Sequence, residues 1–228
     1  MVLRPLRIDL VNVAPDFLAQ CEAPYFPRDP ALGGRQLPIT ATVYIDRADF
    51  REVDDATYYG LAPGKVAGLR YAGYVRVVRV VRGAGGEVER LEAEYDHARG
   101  SALLPAGEGG RPPAAPKGNL HWVSAAAPGG APLAVTVRQY DHLFLSDVPG
   151  ESGDWESEIN PASEQVVAGA LGEASLGRAG GPPAGEHFQC ERVGYFVVDK
   201  DTREGALVLN STVALKESVE TKKVKGKA

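Results

Sequence analysis

Short runs of alternating apolar and polar residues, each cut off after a few positions by glycine or proline, constrain this chain more than any other feature. Leu6-Arg7-Ile8-Asp9-Leu10 alternates with period two, as does Ile39 to Ile45, and both segments read as half-buried strands. The 27 Gly and 17 Pro among 228 residues exclude a bundle of long helices and favour many short strands joined by turns. Tyr74 to Arg82, YVRVVRVVR, carries five Val in nine residues and reads as a strand with Arg76 and Arg82 on one face and Arg79 on the other. Gly83-Ala84-Gly85-Gly86 then turns the chain into Val88 to Tyr95, where Leu91, Ala93 and Tyr95 share a face, so a hairpin is expected. Further strands are expected at His121 to Ser124, Leu133 to Tyr140, Phe188 to Val198 and Ala206 to Leu215. Pro161 to Leu171 is the best short helix candidate, and residues 99–119, 125–132 and 171–186 read as exposed loops. The fold class is therefore all-β, with length for one large domain or two small ones.

The 25 Lys+Arg against 30 Asp+Glu give a formal charge of -5, which on its face argues against a nucleic-acid partner. Net charge averages over surfaces that a partner never meets, so the distribution matters more. Residues 65 to 82 hold Lys65, Arg70, Arg76, Arg79 and Arg82 with no acid, and the tail from Lys216 to Ala228 holds five Lys against two Glu. Such a stripe is either a phosphate track or a solvated face, and the sequence leaves both open. Cys21 and Cys190, the only two cysteines, imply no disulfide framework and make a reducing cytosol the default compartment. No apolar window approaches the roughly 18 residues of a membrane span. The opening MVLRPLRIDLV, broken by Asp9, is not expected to be a secretory signal.

Catalytic and metal motifs are not found. His97, His121, His142 and His187 are scattered and neither Cys has a partner at metal spacing, so no metal site is expected. Ser152 lies in PGESGD, which is not a nucleophile elbow, and Gly83, Gly85 and Gly86 match no phosphate-binding loop or dinucleotide fingerprint. His121, Ser124 and Asp141 make a triad only on paper, since nothing orders them around a pocket. On local chemistry alone the chain is a β-rich binding domain; a small-molecule enzyme would need a cluster of titratable groups that the sequence does not suggest.

Several longer segments say more together: Arg35-Gln36-Leu37-Pro38, Tyr44 to Arg51 (YIDRADFR), His121-Trp122-Val123-Ser124-Ala125, Tyr140 to Phe144 (YDHLF), Glu191 to Phe196 (ERVGYF) running into Asp199, and Leu209 to Leu215 (LNSTVAL). In this order, over residues 5 to 217, they resemble the C-terminal anticodon-binding region of glutaminyl-tRNA synthetases; the glutamyl enzymes share the architecture less closely. The resemblance implies two six-stranded-type β-barrels of the kind seen in a ribosomal protein that binds 5S rRNA. It implies a proximal barrel from residues 1–54 and 145–221, a distal barrel inserted as 55–144, and a basic tail at 222–228. The family's catalytic half, with its H-I-G-H-like and K-M-S-K-S-like signatures, has no counterpart here. The chain is thus expected to begin where a synthetase body ends, to hold no cofactor of its own, and to catalyse nothing alone, while ATP and Mg serve the full-length family.

The resemblance also implies site residues. The family's motif for the middle anticodon uridine falls on Gln189, Glu191 and Arg192, a chemically apt set, because a uracil edge offers two acceptors and one donor. An extended strand would split these three between its faces, so a bulge or strand end is required. Arg70 matches a position that contacts the first anticodon base, with Tyr58, Tyr59, Tyr71 and Tyr74 as candidate stacking faces. Pro27 matches an anticodon-loop position, and Arg28 stands where the family has Asn. Departures fall at Thr57, Tyr59 and Gly60, where bacterial members place Gln, Lys and Arg for the third base, and at Gly68 and Ser211, each in place of an Arg. The implied partners are the tRNA for glutamine and a catalytic domain in cis, in a cytoplasmic monomer without membrane contact. The alternative is a freestanding tRNA- or rRNA-binding barrel protein without ligase activity, or the equivalent domain of a glutamyl-tRNA synthetase.

Overall fold

The computed structural model describes residues 1–98, 103–104, 115–126, 131–177 and 181–215. Most of the loop expected at 99–119, parts of those at 125–132 and 171–186, and the whole Lys-rich tail including 222–228 lie outside the described residues.

The described chain forms fourteen strands: β1 Pro5–Leu10, β2 Leu18–Pro24, β3 Gly34–Thr40, β4 Thr42–Asp46, β5 Val66–Leu69, β6 Gly73–Arg82, β7 Val88–Asp96, β8 Asn119–Leu120, β9 Trp122–Ser124, β10 Leu133–Tyr140, β11 Glu164–Gly172, β12 His187–Cys190, β13 Gly194–Val198 and β14 Leu207–Ala214. Helical structure among the described residues is confined to 3-10 turns of three or four residues. The all-β expectation holds.

Residues 1–133 with 171–176 make one compact unit. Its main sheet runs β8-β5-β6-β7-β1-β4-β9. The two edge strands are consecutive, separated only by His121, so one extended segment bonds β5 in parallel through its first half and β4 through its second. The sheet therefore nearly closes on itself as a six-stranded barrel. Alternation fills it: Leu6, Ile8, Val43, Ile45, Leu91, Ala93, Val75 and Leu120 point inward and are nearly inaccessible. The β2–β3 ribbon packs Cys21, Ala23, Leu37 and Ile39 on the same core.

Residues 134–170 with 177–228 make the second unit, a five-stranded sheet in the order β11-β10-β14-β13-β12. Its β10 and β14 pair in parallel, and Val135, Val137, Phe196, Val198, Leu207 and Leu209 are buried.

The unit boundaries differ from the segmentation expected above. Residues 1–54 contribute β1 and β4 to the barrel of β5–β9, because β1 pairs with β4 on one side and with β7 on the other. Of residues 161–171, read as a helix, 164–171 belong to β11; Val166 and Val167 favour extended backbone, and Gly169 at φ 77° is outside the right-handed helical region. The run Ile39 to Ile45 is two strands, β3 bonding β2 and β4 bonding β1, and the inward phase carries across the break so that periodicity does not reveal the change of partner. A bulge between Val77 and Arg79 shifts the phase of β6, so Val80 packs inward and Arg79 faces outward beside Arg76 instead of opposite it.

Candidate nucleic-acid interface

Strand β12 ends at the buried Cys190, and the chain reverses through Glu191, Arg192 and Val193 into β13. The Val193 N–H donates to the Cys190 carbonyl at 3.0 Å, and Arg192 takes a left-handed backbone at φ 67°. This is the strand end that a joint role for Gln189, Glu191 and Arg192 requires. Gln189 and Arg192 are exposed and Glu191 is half-buried at one hairpin tip.

In the first unit, Arg70 occupies the tip between β5 and β6. Its N–H donates to the Leu120 carbonyl at 2.9 Å, and its carbonyl accepts the Trp122 Nε1–H at 3.0 Å. The indole thus serves as a backbone clamp, and the side chain is left half-buried with its guanidinium over the Tyr71 ring. Pro27 and Arg28 are the central residues of an exposed turn closed by Asp29 N–H to Phe26 O at 3.1 Å, where the fixed φ of proline suits the first central position. The exposed Tyr25 and Phe26 lead into it. Arg35 braces the same loop: it donates to the Pro24 carbonyl at 3.1 Å, lies 5.7 Å from the Tyr25 ring centre, and forms a bidentate pair with Glu173 at 2.5 and 2.8 Å.

Tyr59 is 56% exposed and stands beside Tyr58, whose ring takes the Arg51 guanidinium at 4.2 Å and the Lys65 ammonium at 5.5 Å. Gly60 is buried, and a Cβ there would run into the Tyr58 hydroxyl and the Asp49 carbonyl, so a long side chain has no room at this position. At Gly68 a Cβ would meet the Asn119 side-chain oxygen. Both glycine departures from the family pattern are therefore built into local packing. The stacking of Arg51 and Lys65 on the Tyr58 ring has no signal in the sequence, because it is made only when the chain between residues 51 and 65 folds back on itself. Gly118 packs its backbone on the Tyr59 carbonyl, and the following Asn119–Leu120 pairs with β5, so Tyr59 and Arg70 border the same segment.

The basic stripe at 65–82 is largely neutralised. Lys65 meets Asp54 at 2.5 Å, Arg76 meets Glu94 at 2.5 Å, Arg79 pairs with Glu92, and Arg82 pairs with Glu52. The hydrogen bond to Arg79 holds the Glu92 carboxyl below its usual range, and the Lys65 contact does the same for Asp54. Arg90 and Asp9 extend the outward ion-pair ladder on β7 and β1. These four cations form a charge ladder and not an open phosphate track.

The first 96 residues match a family model described as "tRNA synthetases class I (E and Q), anti-codon binding domain", and residues 119–199 match a second model of the same description. This chain belongs to the anticodon-binding domain family of class I tRNA synthetases. Among similar curated proteins, the cytoplasmic glutamine--tRNA ligase of Arabidopsis thaliana is 40% identical over 223 residues, covering 96% of this chain and 26% of the relative. The glutamine--tRNA ligase of Bos taurus is 38% identical, covering 95% of this chain and 26% of the relative. That of Ralstonia pickettii (strain 12J) is also 38% identical, covering 95% and 36%. The chain thus spans between a quarter and somewhat over a third of these relatives.

The Gly83–Gly86 turn of this anticodon-binding domain does not suit an ATP phosphate chain, because the Glu87 carboxylate lies against Gly83 and Gly85. An acid in that place repels an anion. Among the described residues no three His, Cys, Asp or Glu converge as a metal site, and no helix is long and apolar enough to cross a membrane.

Proposed function

We propose that this chain is the anticodon-reading part of a glutamine--tRNA ligase, which binds the anticodon loop of the glutamine tRNA while a catalytic domain in cis, served by ATP and Mg, charges the 3' end. The observation that carries this reading is the β12–β13 tip, where amide, carboxylate and guanidinium gather at a strand end around a left-handed Arg192. A uracil edge needs donors for its two carbonyls and an acceptor for its N–H, and Gln189, Arg192 and Glu191 supply them. Cytosine in the same place would meet a donor with a donor. Arg70, Pro27, Arg28 and Tyr59 serve the neighbouring anticodon nucleotides by contact or stacking, in keeping with how unstacked RNA bases are recognised. The chain itself holds no cofactor and acts in the cytoplasm as a monomer.

The test is binding of the 228-residue chain to a glutamine tRNA transcript and to one with the middle anticodon uridine changed to cytosine. The change is expected to weaken binding by about 1–3 kcal/mol, the size of a lost base-edge match. Equal affinities would remove the assignment of Gln189, Glu191 and Arg192.

A further inference from the structure

Among the described residues two non-glycines adopt a left-handed backbone, Tyr71 at φ 69° and Arg192 at φ 67°, and they hold equivalent positions in two hairpins of the same design. The incoming strands end at Leu69 and Cys190, which pair with Gly73 and Gly194. In each turn the residue after the left-handed one donates its N–H three residues back, Ala72 to Leu69 at 2.9 Å and Val193 to Cys190 at 3.0 Å. Each closing glycine lies tight on the next strand, so that a Cβ would meet the Asp96 carbonyl at Gly73 and the Val213 carbonyl at Gly194. Glycine at the second loop position would form this turn at lower cost, since a side chain disfavours positive φ. Both turns keep a large side chain there instead.

In the β5–β6 turn that side chain has an identifiable task. The Arg70 guanidinium lies 5.0 Å from the centre of the Tyr71 ring, and the same ring packs against the barrel core. The Arg70 backbone is clamped by Leu120 and Trp122, and beside it the ring offers its face to the guanidinium. The geometry points to Tyr71 as a positioning residue: its left-handed backbone and core-anchored ring form a shelf that presents the Arg70 guanidinium to RNA already oriented. Holding the arginine before binding removes side-chain freedom that would otherwise be lost on binding, and the cation–π contact contributes to that hold. This role rests on the reading that Arg70 touches the anticodon loop.

Two measurements on the full chain separate the two claims. Nitrogen-15 relaxation of the Arg70 side-chain Nε–H in the free protein reports its order without RNA: Tyr71→Phe should keep it, and Tyr71→Gly and Tyr71→Asn, both tolerant of positive φ, should lose it. Titration with the anticodon stem-loop of the glutamine tRNA should show Tyr71→Phe unchanged and Tyr71→Gly weakened roughly three- to tenfold, the range of one cation–π contact. In an Arg70→Ala background Tyr71→Gly should add nothing. An ordered Arg70 in Tyr71→Gly, or an equal further loss in the Arg70→Ala background, overturns the positioning role. If Tyr71 orders Arg70 yet Arg70→Ala binds the stem-loop like wild type, the shelf stands and the RNA role of Arg70 falls.

Discussion

Replacing Glu173 by Leu should cost the first unit about 3 kcal/mol. Arg35 and Glu173 form a bidentate pair with side chains only 17% and 13% exposed. Removing one partner leaves a charge mostly shielded from water, for which about 3–5 kcal/mol is typical, and the low end applies because Arg35 keeps its bond to the Pro24 carbonyl. At roughly 2–4 °C per kcal/mol for a protein of this size, the melting midpoint should fall by about 6–12 °C. The double variant Arg35→Met with Glu173→Leu should recover most of that loss, because the desolvation cost of both ions disappears with their attraction. Acidity gives a second reading. Burial raises the Glu173 carboxyl, but the Arg35 hydrogen bonds and charge outweigh it and the net shift is downward. A carboxyl lowered on folding contributes stability above its unfolded value, near 4.3, and loses it as pH falls through the folded value. The advantage of wild type over Glu173→Leu, followed by thermal melts across pH, should therefore be full at neutral pH and shrink below about pH 4. A single variant that melts with wild type at pH 7, or a gap independent of pH, would refute the assignment of this pair as a brace for the loop carrying Pro27 and Arg28.

Two further outcomes follow from the packing. Gly60→Arg, which restores the residue type that the family resemblance places there, should destabilise the first unit by about 2 kcal/mol or more, since its Cβ has no space beside the Asp49 carbonyl; a denaturant midpoint equal to wild type would show that the loop yields. Arg76→Ala with Arg79→Ala should leave the salt dependence of stem-loop binding unchanged, because Glu94 and Glu92 already neutralise these cations; a shallower slope would mean that the ladder opens to meet phosphate.

The strands of the barrel were legible because each buries one face, so Leu6, Ile8 and Leu10 or Leu91, Ala93 and Tyr95 announce themselves by period two. Partner choice was not, since a strand's period is the same whichever neighbour it bonds; hence Ile39 to Ile45 concealed a break. Gly169 and the bulge after Val77 act through single backbone angles that composition averages away. The site residues came from motif resemblance, whereas the features that explain them are three-dimensional. The Trp122 clamp on Arg70 spans 52 residues and the Arg35–Glu173 brace spans 138. The left-handed Tyr71 and Arg192 had no signal at all, since sequence marks such positions through glycine or asparagine and neither is present.

The same structure changes what an acidic total charge means for reading RNA. A track of free cations would draw in any polyanion, and its contribution would fall steeply with salt. Here Lys65, Arg76, Arg79 and Arg82 spend their charge on Asp54, Glu94, Glu92 and Glu52 and hold strands and turns together. Arg70 and Arg192 each sit on a three-residue hairpin turn that contains a left-handed residue. Their fixed backbone setting suits directional contact with a base edge, where geometry decides, more than attraction to a phosphate, where charge suffices. On the proposed reading an acidic body favours discrimination, because an RNA gains little from it by electrostatics alone and directional contacts must decide.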